Sequence, residues 1–342
     1  MARADLLKQI FQSYQLRDDS AFREAASALI HEERKKQHPV LANELELILN
    51  NGAKASVPTR GLTLYDPLPE DDDRQAPLIE IRRPKRYLRE LVLDEKIVNV
   101  LVRFLVEFRE WDVLEANGLA PIRRVLFCGP PGCGKTVTAE ALAAELDLPL
   151  LYVRFDAVVS SLLGQTAANI RKVFEYASRG QWVVLFDEFD AIGRSRDDAT
   201  EHSELKRVVN SFLQIMDSFQ GQSLVIAATN FERALDPAVW RRFDEVVRFG
   251  LPTNEQLERA IRGRLSPLTF SPHDIHVLLD ALSGGTYADA ERVCLDVRRA
   301  AAIRGVRRAH RDDLHSAVER HSYRRLLMAD MASEGTPTID TE

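Results

Sequence analysis

The chain has 342 residues, which is enough for about two domains, and 45% of them are apolar, as in ordinary globular proteins. A net charge of −6 gives no reason to expect nucleic acid or an anionic membrane as a partner. The three cysteines include no C-x-x-C pair, and no apolar run reaches the roughly 18 residues of a membrane span or forms a secretory signal. We therefore predict a cytoplasmic protein without a disulfide framework, a zinc site or a membrane anchor.

Apolar residues recur at helical spacing three times within residues 1–50, and short turns separate the three stretches. This pattern predicts an N-terminal helical bundle, which we expect to dock a protein client or an adaptor. Residues 51–87 hold several prolines and the acidic run Glu70–Asp73. Such a composition is typical of a flexible linker, and we predict one here.

Strands alternate with helical patterns over residues 88–252, which predicts an α/β domain with a parallel sheet. The predicted strands lie at 124–128, 150–154, 182–186, 223–227 and 245–249. Residues 253–327 read as helical throughout and predict a small helical domain. The polar tail at 328–342 is predicted to be disordered.

A glycine-rich loop follows the first predicted strand of this domain and precedes an alanine-rich helix. Its residues are Gly129, Pro130, Pro131, Gly132, Cys133, Gly134, Lys135 and Thr136. The spacing G-x-x-x-x-G-K-T lets backbone N–H groups surround phosphate oxygens at a helix N-terminus. Lys135 is expected to reach the outer phosphates and Thr136 to hold Mg²⁺. A chance glycine-rich turn is the alternative, but it would not require both flanking elements.

Polar residues follow the third and fourth predicted strands. Asp187 and Glu188 end the third strand, and Asn230 ends the fourth. Ligands bind at the carboxyl ends of strands in such sheets, so Asp187 is expected at the Mg²⁺ ion and Glu188 beside the attacking water. Asn230 is expected to bind the γ-phosphate or the same water. A solvated acidic turn is the alternative interpretation of the two acids.

Four motifs together resemble the AAA branch of the AAA+ ATPases. They are GPPGCGKT, FDEFDAIGRSRDD at 186–198, IAATN at 226–230 and ALDPAVWRRFD at 234–244, and the resemblance covers roughly residues 90–325. It implies a P-loop NTPase fold with a five-stranded parallel sheet in the order 5-1-4-3-2. It also implies a small helical lid from about residue 253, with ATP and Mg²⁺ as ligands.

The resemblance assigns Arg241 and Arg242 to the arginine-finger segment of the family. Such arginines reach the γ-phosphate that a neighbouring subunit holds, and they stabilise charge in the transition state. A head-to-tail interface of this kind closes into a ring, which in this family is usually a hexamer. The alternative is a surface pair that these arginines form with acids of their own chain, such as Asp244 and Glu245.

Two segments depart from the family pattern. Leu162, Leu163 and Gly164 stand where the family's central-pore loop has an aromatic residue, a hydrophobic residue and glycine, which implies a softer grip on a threaded polypeptide. The alternative is a purely structural turn. In the lid, Ala288 fits the family stretch that lies near the adenine, but Tyr287 stands where glycine is usual and is expected to stack on or crowd the base.

The function that this reading favours is an ATP-hydrolysing ring that remodels, unfolds or translocates a protein client through its pore. A ring that binds and controls one dedicated partner is the alternative. A separately encoded protease fits that alternative, because the chain has no H-E-x-x-H motif of its own. A nucleic-acid remodeller is the third hypothesis, and the acidic net charge disfavours it.

Overall fold

The structure is a computed structural model that describes residues 13, 24–30, 67–159, 163–189, 199–230 and 237–334. The chain divides into two compact units, Met1–Leu64 and Tyr65–Glu342. In the first unit, residues 24–30 are helical, and Ala25 and Ile30 are buried. The rest of the predicted bundle at 1–50 lies outside the described residues.

The second unit is built around one mixed sheet of six strands in the order β1-β3-β4-β5-β2-β6. The strands are β1 (Ile79–Arg82), β2 (Arg124–Cys128), β3 (Leu150–Val153), β4 (Val183–Phe186), β5 (Leu224–Thr229) and β6 (Glu245–Arg248). The pairs among β3, β4, β5, β2 and β6 are parallel, whereas β1 runs antiparallel to β3. The sheet therefore has one strand more than the five predicted, and this additional strand is antiparallel to its neighbour.

The additional strand β1 lies inside the segment predicted to be a flexible linker. Ile79 faces Val153 across the pair, and both Leu78 and Ile79 are buried. Burying these side chains and pairing the strand backbone outweigh the cost of ordering the segment. The linker prediction for 51–87 is wrong for residues 67–87.

Besides a 3₁₀ helix at Leu88–Glu90, eleven α-helices are described in the second unit. They are α1 (Glu95–Arg109), α2 (Trp111–Ala116), α3 (Lys135–Glu145), α4 (Phe155–Val158), α5 (Leu163–Ala177), α6 (Ala199–Ser218), α7 (Pro237–Trp240), α8 (Asn254–Leu265), α9 (Pro272–Leu282), α10 (Tyr287–Ile303) and α11 (Arg311–Glu334). Since α11 continues to Glu334, the disordered tail predicted from residue 328 is wrong for its first seven residues. Over the described part of the chain, no helix is both long and apolar enough to cross a membrane.

Two of the hydrophobic cores in the described part of this unit position the site. The first lies between the sheet and helices α1 and α3 and includes Phe104, Phe127 and Leu142. The second joins α8 to α11 and includes Leu257 and Val293. The second core makes the helical region after β6 a packed body of its own, which we call the lid.

Three lid helices begin at side-chain caps that are visible in the sequence. Thr253, Ser271 and Thr286 each accept a hydrogen bond from a backbone N–H three residues later. The side chain at that later position in turn accepts one from the backbone N–H of the capping residue. Capping boxes of this kind satisfy backbone donors at a helix N-terminus. They set the points at which α8, α9 and α10 begin. The start of α10 contacts the glycine-rich loop at 129–136, which we call the phosphate loop.

Candidate functional site

The phosphate loop joins β2 to α3, and its glycines are required by the backbone. Gly129 has φ +137°, and a Cβ there would lie 2.0 Å from the Phe249 carbonyl oxygen. Gly134 has φ +98° and caps the N-terminus of α3, which begins at Lys135. Only glycine adopts such angles without strain. The glycines therefore allow the tight turn that leads from the loop directly into the N-terminus of α3, where phosphates can bind.

Lys135 is the buried cation of this loop, with 6% of its surface exposed. Its Nζ donates to the carbonyl oxygens of Gly129 at 2.7 Å and Pro130 at 2.8 Å. It also donates to Oδ1 of Asn230, at the end of β5, at 2.8 Å. The structure thus brings the lysine predicted to bind the outer phosphates into direct contact with Asn230, which is predicted to bind the γ-phosphate or the attacking water.

Thr136 and the acidic end of β4 form the second cluster of the site. The Thr136 hydroxyl donates to Oδ2 of Asp187 at 2.8 Å, and the backbone N–H of Glu188 donates to Oδ1 of Asp187 at 3.0 Å. A hydroxyl and a carboxylate oxygen are ligand types that Mg²⁺ accepts, so these two residues fit the ion. The sequence predicts each of the two residues separately as a group at the Mg²⁺ ion, and the structure places their oxygens 2.8 Å apart.

Glu188 has an unusual backbone for a non-glycine residue, with φ +52°. Side chains with a Cβ rarely adopt this left-handed conformation, and where they do the cost is of order 1–3 kcal/mol. The turn directs Glu188 to an exposed position on the cavity wall, beyond the buried strand β4. Strained backbone of this kind clusters at functional sites, which supports the prediction for Glu188.

The lid contacts the phosphate loop through the start of α10. The Ala288 N–H donates to the Gly132 carbonyl oxygen at 3.2 Å. Gly132 has φ +75°, and a Cβ there would lie 2.8 Å from Thr286 Oγ1 and 2.9 Å from Ala288 Cβ. Ala288, which the resemblance places near the adenine, packs directly against the phosphate loop in the structure, and its position beside an adenine stays a prediction. Gly132 is required both by its φ angle and by the lid.

One cavity of about 510 Å³ runs between the sheet domain and the lid. Its lining includes Lys135, Thr136, Asp187, Glu188 and Asn230. The lining also includes residues that the sequence motifs did not identify: Arg86, Glu90, Leu91, Val92, Leu93, Arg259, Ala260, Gly263, Arg264 and Glu291. These residues come from three separate segments, and no local pattern marks them as neighbours. Tyr287, which the sequence did single out, lies among them.

Cys133 lies inside the phosphate loop but is buried, with 1% of its surface exposed. Burial raises the pKa of its thiol, and the Lys135 charge offsets this only in part. A raised pKa keeps the thiol protonated at neutral pH. Cys133 therefore contributes backbone to the loop and no thiolate.

Arg241 and Arg242 follow α7, and both are exposed and lie outside the cavity lining. Arg242 donates through Nη1 to Oδ2 of Asp217, on α6, at 2.6 Å. The acids considered from the sequence, Asp244 and Glu245, pair with other arginines. Arg242 therefore does form an ion pair on the surface of its own chain, but with Asp217 and not with Asp244 or Glu245. Arg241 has no ion-pair partner among the described residues.

Two of the three predicted pore residues are located at the start of helix α5. Leu162 lies outside the described residues, and Leu163 and Gly164 form the first turn of α5. Helix α5 is amphipathic and packs against α6. The pore loop therefore stays a prediction.

Residues 125–251 match the sequence profile of the family described as "ATPase family associated with various cellular activities (AAA)". The AAA family ATPase y4kL of Sinorhizobium fredii is 42% identical over 340 residues, which is 97% of this chain and 99% of that protein. The chain belongs to the AAA family of ATPases. Its enzymatic activity is ATP hydrolysis.

More distant relatives of this AAA ATPase include the proteasome-activating nucleotidase of Thermococcus onnurineus. It is 29% identical over 257 residues, which is 72% of this chain and 65% of the nucleotidase. Among solved structures, the crystal structure of the FIGL-1 AAA domain aligns with a TM-score of 0.57 at 20% identity, over 71% of this chain and 85% of that domain. The structural likeness shows the AAA fold.

Proposed function

We propose that this AAA ATPase assembles into a ring, a hexamer, that uses ATP and Mg²⁺ to remodel, unfold or translocate a protein client. The observation that carries the proposal is the pair of contacts in the cavity lining, Lys135 with Asn230 and Thr136 with Asp187. Together with the lid contact at Gly132, they surround a space suited to a nucleoside triphosphate. The likeness to a nucleotidase that activates a proteasome supports a protein as the client.

Nucleotide binding would rest on the phosphate loop. The loop N–H groups and the positive end of α3 face the phosphates, and Lys135 would exchange its contacts with Gly129 and Pro130 for phosphate oxygens. Thr136 and Asp187 would hold Mg²⁺, which neutralises phosphate charge when it is bound. Ala288, fixed to Gly132, would keep the lid against the nucleotide.

For hydrolysis, Glu188 would accept a proton from the attacking water, and Asn230 would orient that water or the γ-phosphate. Arg241 and Arg242 would act on the γ-phosphate held by the next subunit, because both are exposed and neither lines the cavity of its own chain. A transition state with spread negative charge is stabilised by such groups, which can contribute roughly 10³–10⁵ in rate. The ring is the arrangement that brings them there.

The remaining parts of the chain are assigned by the same proposal. The 1–50 bundle would select the client or dock an adaptor, residues 88–252 would form the ATPase domain and 253–327 the lid. Leu162, Leu163 and Gly164 would contact the client in the pore. A second candidate, a ring that regulates one dedicated partner such as a separately encoded protease, is favoured by the name of the proteasome-activating relative.

The test uses Glu188→Gln, which is expected to bind ATP but to hydrolyse it at least about 100-fold more slowly, because the proton acceptor is lost. The tagged variant is expressed in its own host and captured in ATP, and the bound proteins are identified by mass spectrometry. Glu175→Gln, at an exposed position on α5, is the matched control and should behave as wild type.

A broad set of proteins retained by Glu188→Gln and lost on Leu162→Ala would support client threading. One stoichiometric partner that also binds the 1–50 fragment would favour the regulatory ring. Wild-type turnover by Glu188→Gln would contradict the assigned mechanism.

A further inference from the structure

The exposed apolar side chains of this chain are gathered in two regions. Among the described residues, ten of the twelve large apolar side chains that are exposed lie either within 102–119 or in the lid, within 295–327. Single exposed apolar residues are normal on a protein surface, whereas clusters mark interaction sites. Two unlike clusters on one chain suit head-to-tail association, because each copy then presents one cluster to each of its two neighbours.

The first cluster is on α1 and α2. Val102 and Val106 stand one turn apart on α1, Val113 is on α2, and each of the three is about half exposed. Glu110, between the two helices, and Asp112 are exposed and form no ion pair within the described ranges. We call these five residues the valine patch.

The stretch that carries the valine patch is negatively charged, with four acids and two arginines. Arg103 is engaged within its own chain, where it pairs with Glu107 and Glu245. Arg109 donates to the carbonyl oxygen of Glu145 at 2.8 Å. Since both arginines have contacts of their own, the valine patch presents net negative charge to a partner.

The second cluster surrounds the turn between α10 and α11. Ile303, the last residue of α10, is 87% exposed, and Val306 is exposed in the turn. Arg307, Arg308 and Arg311 are also exposed, and they have no ion-pair partner in the part of the chain that the structure describes. We call these five residues the arginine patch.

The arginine patch complements the valine patch in charge and in apolar surface. Residues 303–313 hold four arginines and two aspartates, and one of these aspartates, Asp313, already pairs with Arg304. Protein interfaces combine apolar side chains with arginine, and they place opposite charges against each other. The chain therefore carries both halves of one interface on different elements.

A nucleic acid is the other class of partner that exposed arginines attract. Phosphate groups would engage the three arginines of the patch but would leave the side chain of Ile303 in water. The chain also carries a net charge of −6, which opposes the binding of a polyanion. The observations therefore favour a second copy of this chain.

We propose that the arginine patch of one chain docks on the valine patch of a second copy, so that the lid of each subunit holds the next subunit. This inference rests on the ring of the proposed function, and it names surfaces that the proposed arginine fingers do not include. No residue of either patch lines the cavity. Substitutions in the patches should therefore change assembly and leave the ATP site of the single chain intact.

The first experiment measures assembly by analytical ultracentrifugation over a range of concentrations, with ATP and Mg²⁺, in the Glu188→Gln background. Arg307→Glu with Arg308→Glu places like charges in the interface, and so does Glu110→Arg with Asp112→Arg. Each pair should raise the concentration at which half of the chains are assembled by at least about 10-fold. Combining all four substitutions restores opposite charges and should bring that concentration to within about 3-fold of wild type.

The apolar part of the interface is tested separately. Ile303→Ser should raise the same concentration by at least about 3-fold, and thermal stability should be unchanged because Ile303 is already exposed. Leu251→Ser, at an exposed leucine outside both patches, is the matched control. Arg171→Glu with Arg179→Glu, at exposed arginines of the sheet domain, is the control for the charge reversals, and both controls should assemble as wild type.

Three results would overturn the inference. They are wild-type assembly in both charge-reversed pairs, no recovery when the four substitutions are combined, and loss of ATP binding in the charge-reversed chains, measured with a fluorescent ATP analogue. Binding of duplex DNA at physiological salt that is lost in Arg307→Glu with Arg308→Glu, while assembly stays unchanged, would assign the arginine patch to nucleic acid instead.

The outcomes separate this inference from the proposed function. A wild-type ring that also forms in both charge-reversed pairs would leave the proposed function standing and reject the docking of the two patches. Wild-type chains that stay monomeric in ATP at every concentration would reject both.

Discussion

His321 is a buried histidine on α11, with 4% of its surface exposed. Neither of its ring nitrogens has a hydrogen-bond partner within the described residues. Asp289 and Arg292 of α10 and Arg325 of its own helix are the charged groups that act on it. Burial lowers the pKa of His321 below its ordinary value, and the negative charge of Asp289 offsets this only in part. The folded lid therefore holds this histidine in its neutral form at neutral pH.

This predicts acid sensitivity of the folded state with a defined sign. The unfolded chain takes up a proton near pH 6.5, whereas folded His321 does so only at lower pH. Its contribution to stability is complete above about pH 6.5 and is lost as the pH falls through that value towards the lowered pKa. His321→Leu should reduce the loss of unfolding free energy between pH 7.5 and 5.5, measured by urea denaturation.

At pH 7.5, His321→Leu should change stability by no more than about 1 kcal/mol, because it replaces unpartnered polar atoms by an apolar side chain. His315→Leu, at an exposed position of the same helix, serves as the control and should keep the wild-type pH dependence. An identical pH dependence in His321→Leu and wild type would show that His321 does not carry the effect.

At the scale of elements, the acidic run Glu70–Asp73 fixes the chain to helix α5. Oδ1 of Asp71 accepts hydrogen bonds from the backbone N–H groups of Asp73 at 2.9 Å and Arg74 at 2.8 Å. Its Oδ2 accepts one from Nδ2 of Asn169, on α5, at 2.6 Å, and both side chains are buried. The backbone hydrogen bond from Arg74, followed by the one from Asn169, lowers the pKa of Asp71. This turn positions the residues that lead into β1.

Asp71→Ala should destabilise the protein by about 1–3 kcal/mol, because buried Asn169 loses its shorter hydrogen bond and the N–H groups of Asp73 and Arg74 lose their acceptor. Amide hydrogen exchange should also become faster in β1 and in the 67–78 segment than elsewhere. The control is Asp72→Ala, since Asp72 is 71% exposed and its pairing with Lys172 is a surface ion pair of little energy. Equal effects of the two substitutions would mean that the buried hydrogen bonds do not hold the segment.

The same acidic run shows why part of the fold could not be predicted from the sequence. Four consecutive acidic residues indicate a solvated linker, and the pairing of Asp71 with Asn169, 98 residues away, leaves no local signal. The phosphate loop was predictable because eight adjacent residues specify it. The contact of Gly132 with Thr286 and that of Arg242 with Asp217 needed the folded chain, since each joins elements that are distant in sequence.

At the scale of the whole molecule, the candidate active site is incomplete within one chain if the proposed mechanism holds. The cavity supplies Lys135, Thr136 and Asp187, but the two candidate arginine fingers lie outside its lining. Arg242 is held by Asp217, whereas Arg241 is exposed without an ion-pair partner in the described ranges. Arg241 is therefore the better candidate to reach a neighbouring subunit.

This arrangement predicts complementation between two inactive variants. Lys135→Ala should lose nucleotide binding, and Arg241→Ala should bind ATP with a rate reduced by roughly 10³-fold or more, because the positive group at the transition state is lost. In a ring mixed in equal amounts, about a quarter of the interfaces would pair an intact phosphate loop with an intact finger from the neighbour. ATPase activity should reappear on mixing, to at most about a quarter of the wild-type rate.

An arginine that acts within its own chain would give no recovery, because every subunit in the mixture lacks one of the two groups. Arg179→Ala, at an exposed arginine beyond the end of α5, is the matched control and should be active alone.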